Sequence, residues 1–151
     1  MTSARQPVHA SVVAARTSQG WRGLLIEGPS GAGKSDLTLR LMQDGWRLVG
    51  DDWVEVFACR GALYAAVPDT IAGRMEVRGV GIVTRPFRPW VRLALALRLT
   101  REPVERLPQP TWRTIEGVPL PQLDLDPRPA SAGAVAAEAL RAVCATAPPA
   151  L

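Results

Sequence analysis

Gly23-Leu24-Leu25-Ile26-Glu27-Gly28-Pro29-Ser30-Gly31-Ala32-Gly33-Lys34-Ser35 is the stretch that decides the fold. Its second part fits G-x-x-x-x-G-K-[ST], the phosphate-binding loop or Walker A motif. Gly23–Glu27 is a short apolar run that reads as a buried parallel strand. After the loop, Leu37, Leu41 and Met42 fall at helical spacing within Ser35–Asp44, and Gly45 stands where a C-terminal cap belongs. Strand, glycine loop and helix N-terminus together make an anion cradle, because backbone N–H groups converge on phosphate oxygens. The spacing assigns Lys34 to the outer phosphates of a nucleotide and the Ser35 hydroxyl to Mg²⁺. Gly28, Pro29, Ser30, Gly31, Ala32, Gly33, Lys34 and Ser35 are therefore the candidate nucleotide-binding residues. An accidental Gly/Ser turn before a helix is the plain alternative, and the complete motif with both flanks outweighs it.

Next along the chain, Trp46-Arg47-Leu48-Val49 reads as a short strand that runs into Asp51-Asp52, 17 and 18 residues beyond Lys34. Ligands of an α/β sheet bind at the carboxyl ends of its strands, so both aspartates are expected near the phosphates. One carboxylate suits a metal shell, and the other suits acceptance of a proton from an attacking hydroxyl. A simple turn before Trp53 is the alternative for an isolated Asp-Asp pair.

Elsewhere the chain reads as β-rich. Val8–Ala15 is an apolar stretch expected to pair beside the loop strand. Trp53–Ala58 and Ala62–Val67 flank Arg60-Gly61, a hairpin signal. Val91, Leu93, Leu95, Leu97 and Leu99 give the clearest period of two. Val118–Leu125 is expected at a sheet edge, since Pro119 and Pro121 remove backbone donors. Ser131 is placed to cap an alanine-rich helix through Cys144. The prolines between Pro103 and Pro129 mark loops. We expect α/β architecture in one domain, residues 1–151.

Composition agrees with that class. The 151 residues are 47% hydrophobic and 21% charged, which excludes wholesale disorder. No apolar run approaches the roughly 18 residues needed to cross a bilayer, and the first ten residues lack a signal-peptide core. Cys59 and Cys144 are far apart, so a disulfide framework is not expected and a reducing cytoplasm fits. The net charge is +4, yet 17 of the 18 basic residues are Arg, scattered without a run of five, which argues against a nucleic-acid arm. The one lysine is Lys34, where a compact ammonium serves phosphate binding.

Five stretches, in order, resemble the HPr kinase/phosphorylase family, in particular its C-terminal catalytic domain. Gly28–Ser35 is similar to its phosphate loop. Leu48-Val49-Gly50-Asp51-Asp52-Trp53-Val54-Glu55-Val56 is similar to its double-aspartate strand. Met75-Glu76-Val77-Arg78-Gly79-Val80-Gly81-Ile82-Val83 resembles its signature segment. Gly117–Pro121 and Asp126–Ser131 resemble its C-terminal strand and arginine–proline loop. The resemblance spans residues 8 to 145 and implies a P-loop-containing, β-rich kinase domain.

The resemblance also implies roles. Asp52 matches the proton acceptor of phosphorylation, which is the proton donor of the reverse reaction. Glu76 matches a magnesium ligand beside Ser35 and Asp51, and Arg78 lies in the segment tied to both directions of catalysis. His9 matches a functional histidine upstream of the loop; on an apolar strand it would otherwise read as structural or exposed. Arg106 fits a further family arginine, with a solvated arginine as the alternative. ATP and Mg²⁺ are the implied cofactors, HPr or an HPr-like phosphocarrier of a regulatory phosphotransferase system the implied partner, and a hexamer the implied assembly.

Three departures stand out. The family's usual N-terminal domain is expected to be absent, because Val8 already falls at the start of the catalytic domain. The helix after the loop opens with Asp36 rather than the more typical Glu. The loop that usually carries two arginines reads Asp126-Pro127-Arg128-Pro129-Ala130-Ser131, so only Arg128 remains for the phosphorylase half of the chemistry. The expected function is an ATP- and Mg²⁺-dependent protein-serine kinase with a weak reverse activity. A P-loop kinase of a small metabolite and a non-catalytic nucleotide-sensing module are the alternatives.

Overall fold

Apolar residues two apart give each strand one or two buried faces, and the chain uses both. The computed structural model describes residues 2–146. In chain order they form β1 (Gln6–Val8), β2 (Ser11–Thr17), β3 (Gly20–Glu27), α1 (Lys34–Gln43), β4 (Arg47–Gly50), β5 (Val54–Cys59), β6 (Ala62–Ala66), β7 (Arg74–Val77), β8 (Gly81–Thr84), β9 (Trp90–Leu99), β10 (Thr111–Ile115), β11 (Val118–Leu125) and α2 (Ala132–Thr146). Nine strands make one sheet along the path β1-β5-β6-β9-β3-β2-β4, with β11 pairing to β9 and carrying β10. β7 and β8 form a separate two-stranded sheet. The expected α/β, strand-rich class is the one that forms.

Two cores lie on the two faces of the large sheet. Leu24 and Ile26 of β3 join Leu37 and Leu41 of α1 and the stripe Ala132, Ala136, Leu140 and Cys144 of α2. Leu25 points the other way, toward Val12, Val49, Val56, Leu63 and Val91. The five odd-numbered residues of β9 do not share one face. Val91 and Leu93 enter the second core, whereas Leu95, Leu97 and Leu99 face the helices. A register shift opposite Gly23/Leu24 leaves Ala94 as the extra residue and turns the strand over. A continuous period of two thus conceals a bulge.

Strand direction gathers the loops. β2 is antiparallel to both β3 and β4, which flank it, so β3 and β4 run parallel with their carboxyl ends at the start of β2. β9 is parallel to β3, and β11 is parallel to β9. Four strand exits therefore point to one end of the sheet: those of β3 (Gly28–Ser35), β4 (Asp51–Asp52), β9 (Thr100 onward) and β11 (Asp126–Arg128). The entry to β2, His9–Ala10, joins them there.

Local chemistry fixes the turns. Gly45, at φ 93°, closes α1 with a Schellman pattern in which Trp46 N–H donates to Leu41 O and Gly45 N–H to Met42 O. Arg60 and Gly61, at φ 51° and 78°, make the expected two-residue hairpin.

Three expectations need correction. Val8–Ala15 pairs beside the loop strand as expected only from Ser11 on, within β2; Val8 ends β1, which pairs with β5, and His9–Ala10 is the crossing between them. His9 consequently leaves the apolar strand pattern. Val118–Leu125 is not an edge strand, since it pairs with β10 through Val118–Gln122 and with β9 through Gln122–Leu125. Its prolines, two residues apart, present their missing N–H to the same side, and pairing with β9 begins only after them. Finally, Thr111–Ile115, within the stretch assigned to loops, forms β10.

Gly50 sits where a side chain has no room. A Cβ there would overlap Val67 Cγ1 and lie 2.6 Å from Val54 Cγ1. Gly50→Ala is expected to cost about 1–3 kcal/mol through overpacking, read as a lower midpoint in urea unfolding; an unchanged midpoint would show that the valines yield freely.

Candidate active site

The phosphate loop leaves β3 through Gly28 and reaches α1 through Gly31 and Gly33, at φ 79° and 105°. Those values favour glycine, because a Cβ strains the left-handed region. Gly31 also has open space where a Cβ would stand, so the loop backbone is open there. Lys34 is buried, and its ammonium donates to Gly28 O at 2.7 Å and Pro29 O at 3.1 Å. The cation is thereby held against the first two carbonyls of the loop.

Asp51 and Asp52 leave β4 in different directions. Asp51 accepts from the Ser35 hydroxyl at 3.0 and 3.1 Å and from the Ser11 hydroxyl at 2.7 Å. Its carboxylate thus bridges the loop helix and β2. Asp52 adopts φ 69°, a conformation that Asp tolerates better than most residues. From there its Oδ1 lies 2.7 Å from His9 Nε2. An ionised carboxylate only accepts, so this geometry places the hydrogen on Nε2. The His9 ring stacks on Trp53 at 5.0 Å between centroids. The Asp52 side chain stays 61% exposed, so an incoming group can reach it.

Ser35 and Asp51 supply hard oxygen donors of the kind that Mg²⁺ takes. Among the described residues no three of His, Cys, Asp and Glu cluster. A cation held at Ser35 and Asp51 would therefore complete its shell from water and phosphate oxygens, which is the usual habit of Mg²⁺.

The arginine–proline loop lies against this centre. Pro127 is buried beside Gly33, where a Cβ on the glycine would meet Pro127 Cγ at 3.3 Å. Arg40 of α1 donates to Pro127 O at 2.5 Å and Pro129 O at 3.3 Å, and so clamps the loop to the helix. Arg128 forks onto Asp126, with Nε at 3.0 Å from Oδ1 and Nη2 at 2.9 Å from Oδ2. Hydrogen bonds from the Arg128 guanidinium and from its backbone N–H lower the Asp126 pKa to about 2.

The structure therefore brings together the phosphate loop, Lys34, Ser35, Asp51, Asp52, His9 and the Arg128 loop. Glu76, on β7, and Arg78, in the β7–β8 turn, are exposed on the separate sheet and share no hydrogen bond or ion pair with those groups. Arg106 is exposed in the loop between β9 and β10. Ser11, Trp53 and Arg40 escaped sequence reasoning. Ser11 lies inside an apolar run, Trp53 reads as a strand residue, and Arg40 is one of the scattered arginines. Glu27, directly before the loop, is also held by a fork from Arg113 at 3.0 and 3.2 Å.

The family described as "HPr Serine kinase C-terminal domain" matches residues 3–86. The HPr kinase/phosphorylase of Clostridium tetani is 45% identical over 64 residues, covering 42% of this chain and 21% of that protein. The one from Leptothrix cholodnii is 35% identical over 112 residues, covering 65% of this chain and 34% of that protein. The chain thus matches only a fifth to a third of the length of these relatives. In structure it is similar to the Hpr(Ser) kinase/phosphatase from Coxiella burnetii, with a TM-score of 0.75 at 23% identity over 89% of this chain and 93% of that one. That likeness is one of fold.

Proposed function

Because the chain belongs to the HPr serine kinase C-terminal domain family, we propose that it is a protein-serine kinase, moving the γ-phosphoryl group of ATP onto a serine of HPr or an HPr-like phosphocarrier. One observation carries this reading. Adjacent carboxylates part at the β4 exit, Asp51 to the phosphate-loop Ser35 and Asp52, through its left-handed turn, to His9. One acid faces the metal side and the other faces the acceptor.

Phosphoryl transfer asks little covalent chemistry of the protein; position and charge do most of the work. The loop amides and Lys34 hold the phosphates. Ser35 and Asp51 would hold Mg²⁺, which would supply charge neutralisation for the transfer. Asp52 accepts the serine proton, and His9, donating through Nε2, keeps that carboxylate turned toward the acceptor. Glu76, Arg78 and Arg106 enter this proposal through the resemblance of their segments. In this reading residues 1–151 act as one catalytic domain, in the cytoplasm.

The test is a partition of label. With γ-labelled ATP, Mg²⁺, purified HPr and a small-metabolite pool, the label is expected in acid-stable phosphoserine on protein. Label in small molecules instead would support a metabolite kinase, and intact ATP would support a nucleotide sensor.

Direction follows from Arg128. Reversal requires inorganic phosphate and a phosphoserine protein together, two anionic groups that arginine forks bind efficiently. Here the Arg128 fork is already taken by Asp126. Dephosphorylation, read as pyrophosphate release from phosphoserine-HPr and phosphate, is expected to run at least about tenfold below the forward rate, since one charge-assisted hydrogen bond is worth roughly that factor. Arg128→Ala is expected to slow it further while sparing ATP binding. Equal rates in both directions would show that one committed arginine suffices.

A further inference from the structure

We infer that Ser11 is a positioning residue for both aspartates. Its single hydroxyl sets the geometry between the metal-side carboxylate and the base. The inference deepens the reading above and rests on it for its catalytic meaning. Ser11 is fully buried at the first position of β2, among Ala10, Val12, Val13 and Ala14, which are buried as well. Nothing in that apolar pattern calls for a hydroxyl, and a buried hydroxyl must be satisfied. Both of its hydrogen-bonding capacities go to the double aspartate. It donates to Asp51 Oδ1 at 2.7 Å and accepts the Asp52 N–H at 3.3 Å.

Each bond has a consequence. Asp51 Oδ1 is shared by the Ser11 and Ser35 hydroxyls, which fix the carboxylate from two sides. The Asp52 N–H is held by Ser11 at the residue with φ 69°, where Trp53 N–H also donates to Asp51 O at 2.8 Å, so the backbone turn that aims Asp52 at His9 is closed by that bond and tied to β2 by Ser11. The fold makes this economical. β2 lies between β3 and β4, so its first residue stands between the start of the phosphate loop and the aspartates. Ser11 acts through Asp51 and Asp52 and touches no reacting atom itself.

The test compares the wild-type chain with Ser11→Ala and Ser11→Thr. Ser11→Ala removes the hydroxyl without adding bulk. By NMR amide hydrogen exchange, with no substrate present, the Asp52 amide is expected to exchange about tenfold faster or more in Ser11→Ala, while Leu25 in the core keeps its protection. With Mg-ATP and HPr, kcat is expected to fall about tenfold or more, with KM for ATP within about threefold, as for a misplaced catalytic group. Ser11→Thr, which keeps the hydroxyl, restores Asp52 protection and kcat. Unchanged exchange at Asp52 in Ser11→Ala overturns the inference. So does a loss of kcat accompanied by an equal loss of protection at Leu25, which marks general destabilisation. The exchange arm stands apart from the kinase reading: a wild-type chain that transfers nothing to HPr would defeat that reading and leave the Asp52 result standing.

Discussion

Lys34→Ala is expected to lower phosphoryl transfer by about 10²–10³-fold or below detection, the usual consequence of removing a group aimed at developing charge. The ammonium is one of two kinds of positive group at the loop; the other is the ring of backbone N–H groups, which the substitution leaves in place. Binding of the nucleotide is therefore expected to weaken less than turnover. The structure adds a qualification about stability. Lys34 is buried and bonded to Gly28 O and Pro29 O, so alanine releases two loop carbonyls at a local cost of about 2 kcal/mol. Circular dichroism and thermal unfolding should show a folded chain with a modestly lower midpoint. Near-normal turnover by that folded variant would remove the phosphate-loop assignment.

Asp52→Asn is expected to lower kcat by about 10² or more and to keep nucleotide affinity within about tenfold, the pattern of a lost general base. The substitution is a clean one here. Asn tolerates the left-handed conformation that φ 69° demands, and its side-chain oxygen can still accept from His9 Nε2. What disappears is the basic oxygen and one negative charge. Asp51→Asn is the matched control. Its carboxylate accepts from Ser35 and Ser11, so its loss is expected to raise the Mg²⁺ concentration needed for half-maximal rate. If Asp51→Asn shows the large loss of kcat and Asp52→Asn none, the two roles are exchanged.

Groups placed by short-range sequence signals are legible in the sequence itself. The Gly28–Ser35 motif, its flanking strand and helix, the Gly45 cap and the Arg60-Gly61 hairpin each follow from a few adjacent residues whose backbone demands are specific. The place of the aspartates is legible for a related reason: the strand after the α1 helix runs parallel to β3 and exits at the same end of the sheet as the Gly28–Ser35 loop. Features set by pairing across the sheet are not. The face switch within β9 depends on a bulge opposite Gly23, and an unbroken alternation of Val91 to Leu99 hides it. β10 lies in a proline-rich stretch, and its partner strand carries Pro119 and Pro121 without losing its ladder, because both missing N–H groups face the same side. Ser11 looked like one small residue in an apolar run; only the register of β2 with β3 and β4 shows that its hydroxyl meets Asp51 and Asp52. Arg40 gained meaning only from the backbone of the Pro127–Pro129 loop, far away in sequence.

The kinase reading joins the phosphate loop and Asp52 to one event at one acceptor atom. The most direct measurement is site-mapped mass spectrometry of purified HPr after incubation with this chain, ATP and Mg²⁺, run beside the Asp52→Asn protein. A single phosphoryl group on one serine of HPr, formed by the wild-type chain and lost with Asp52→Asn, is the predicted result. Unmodified HPr, or modification that is indifferent to Asp52, would contradict it.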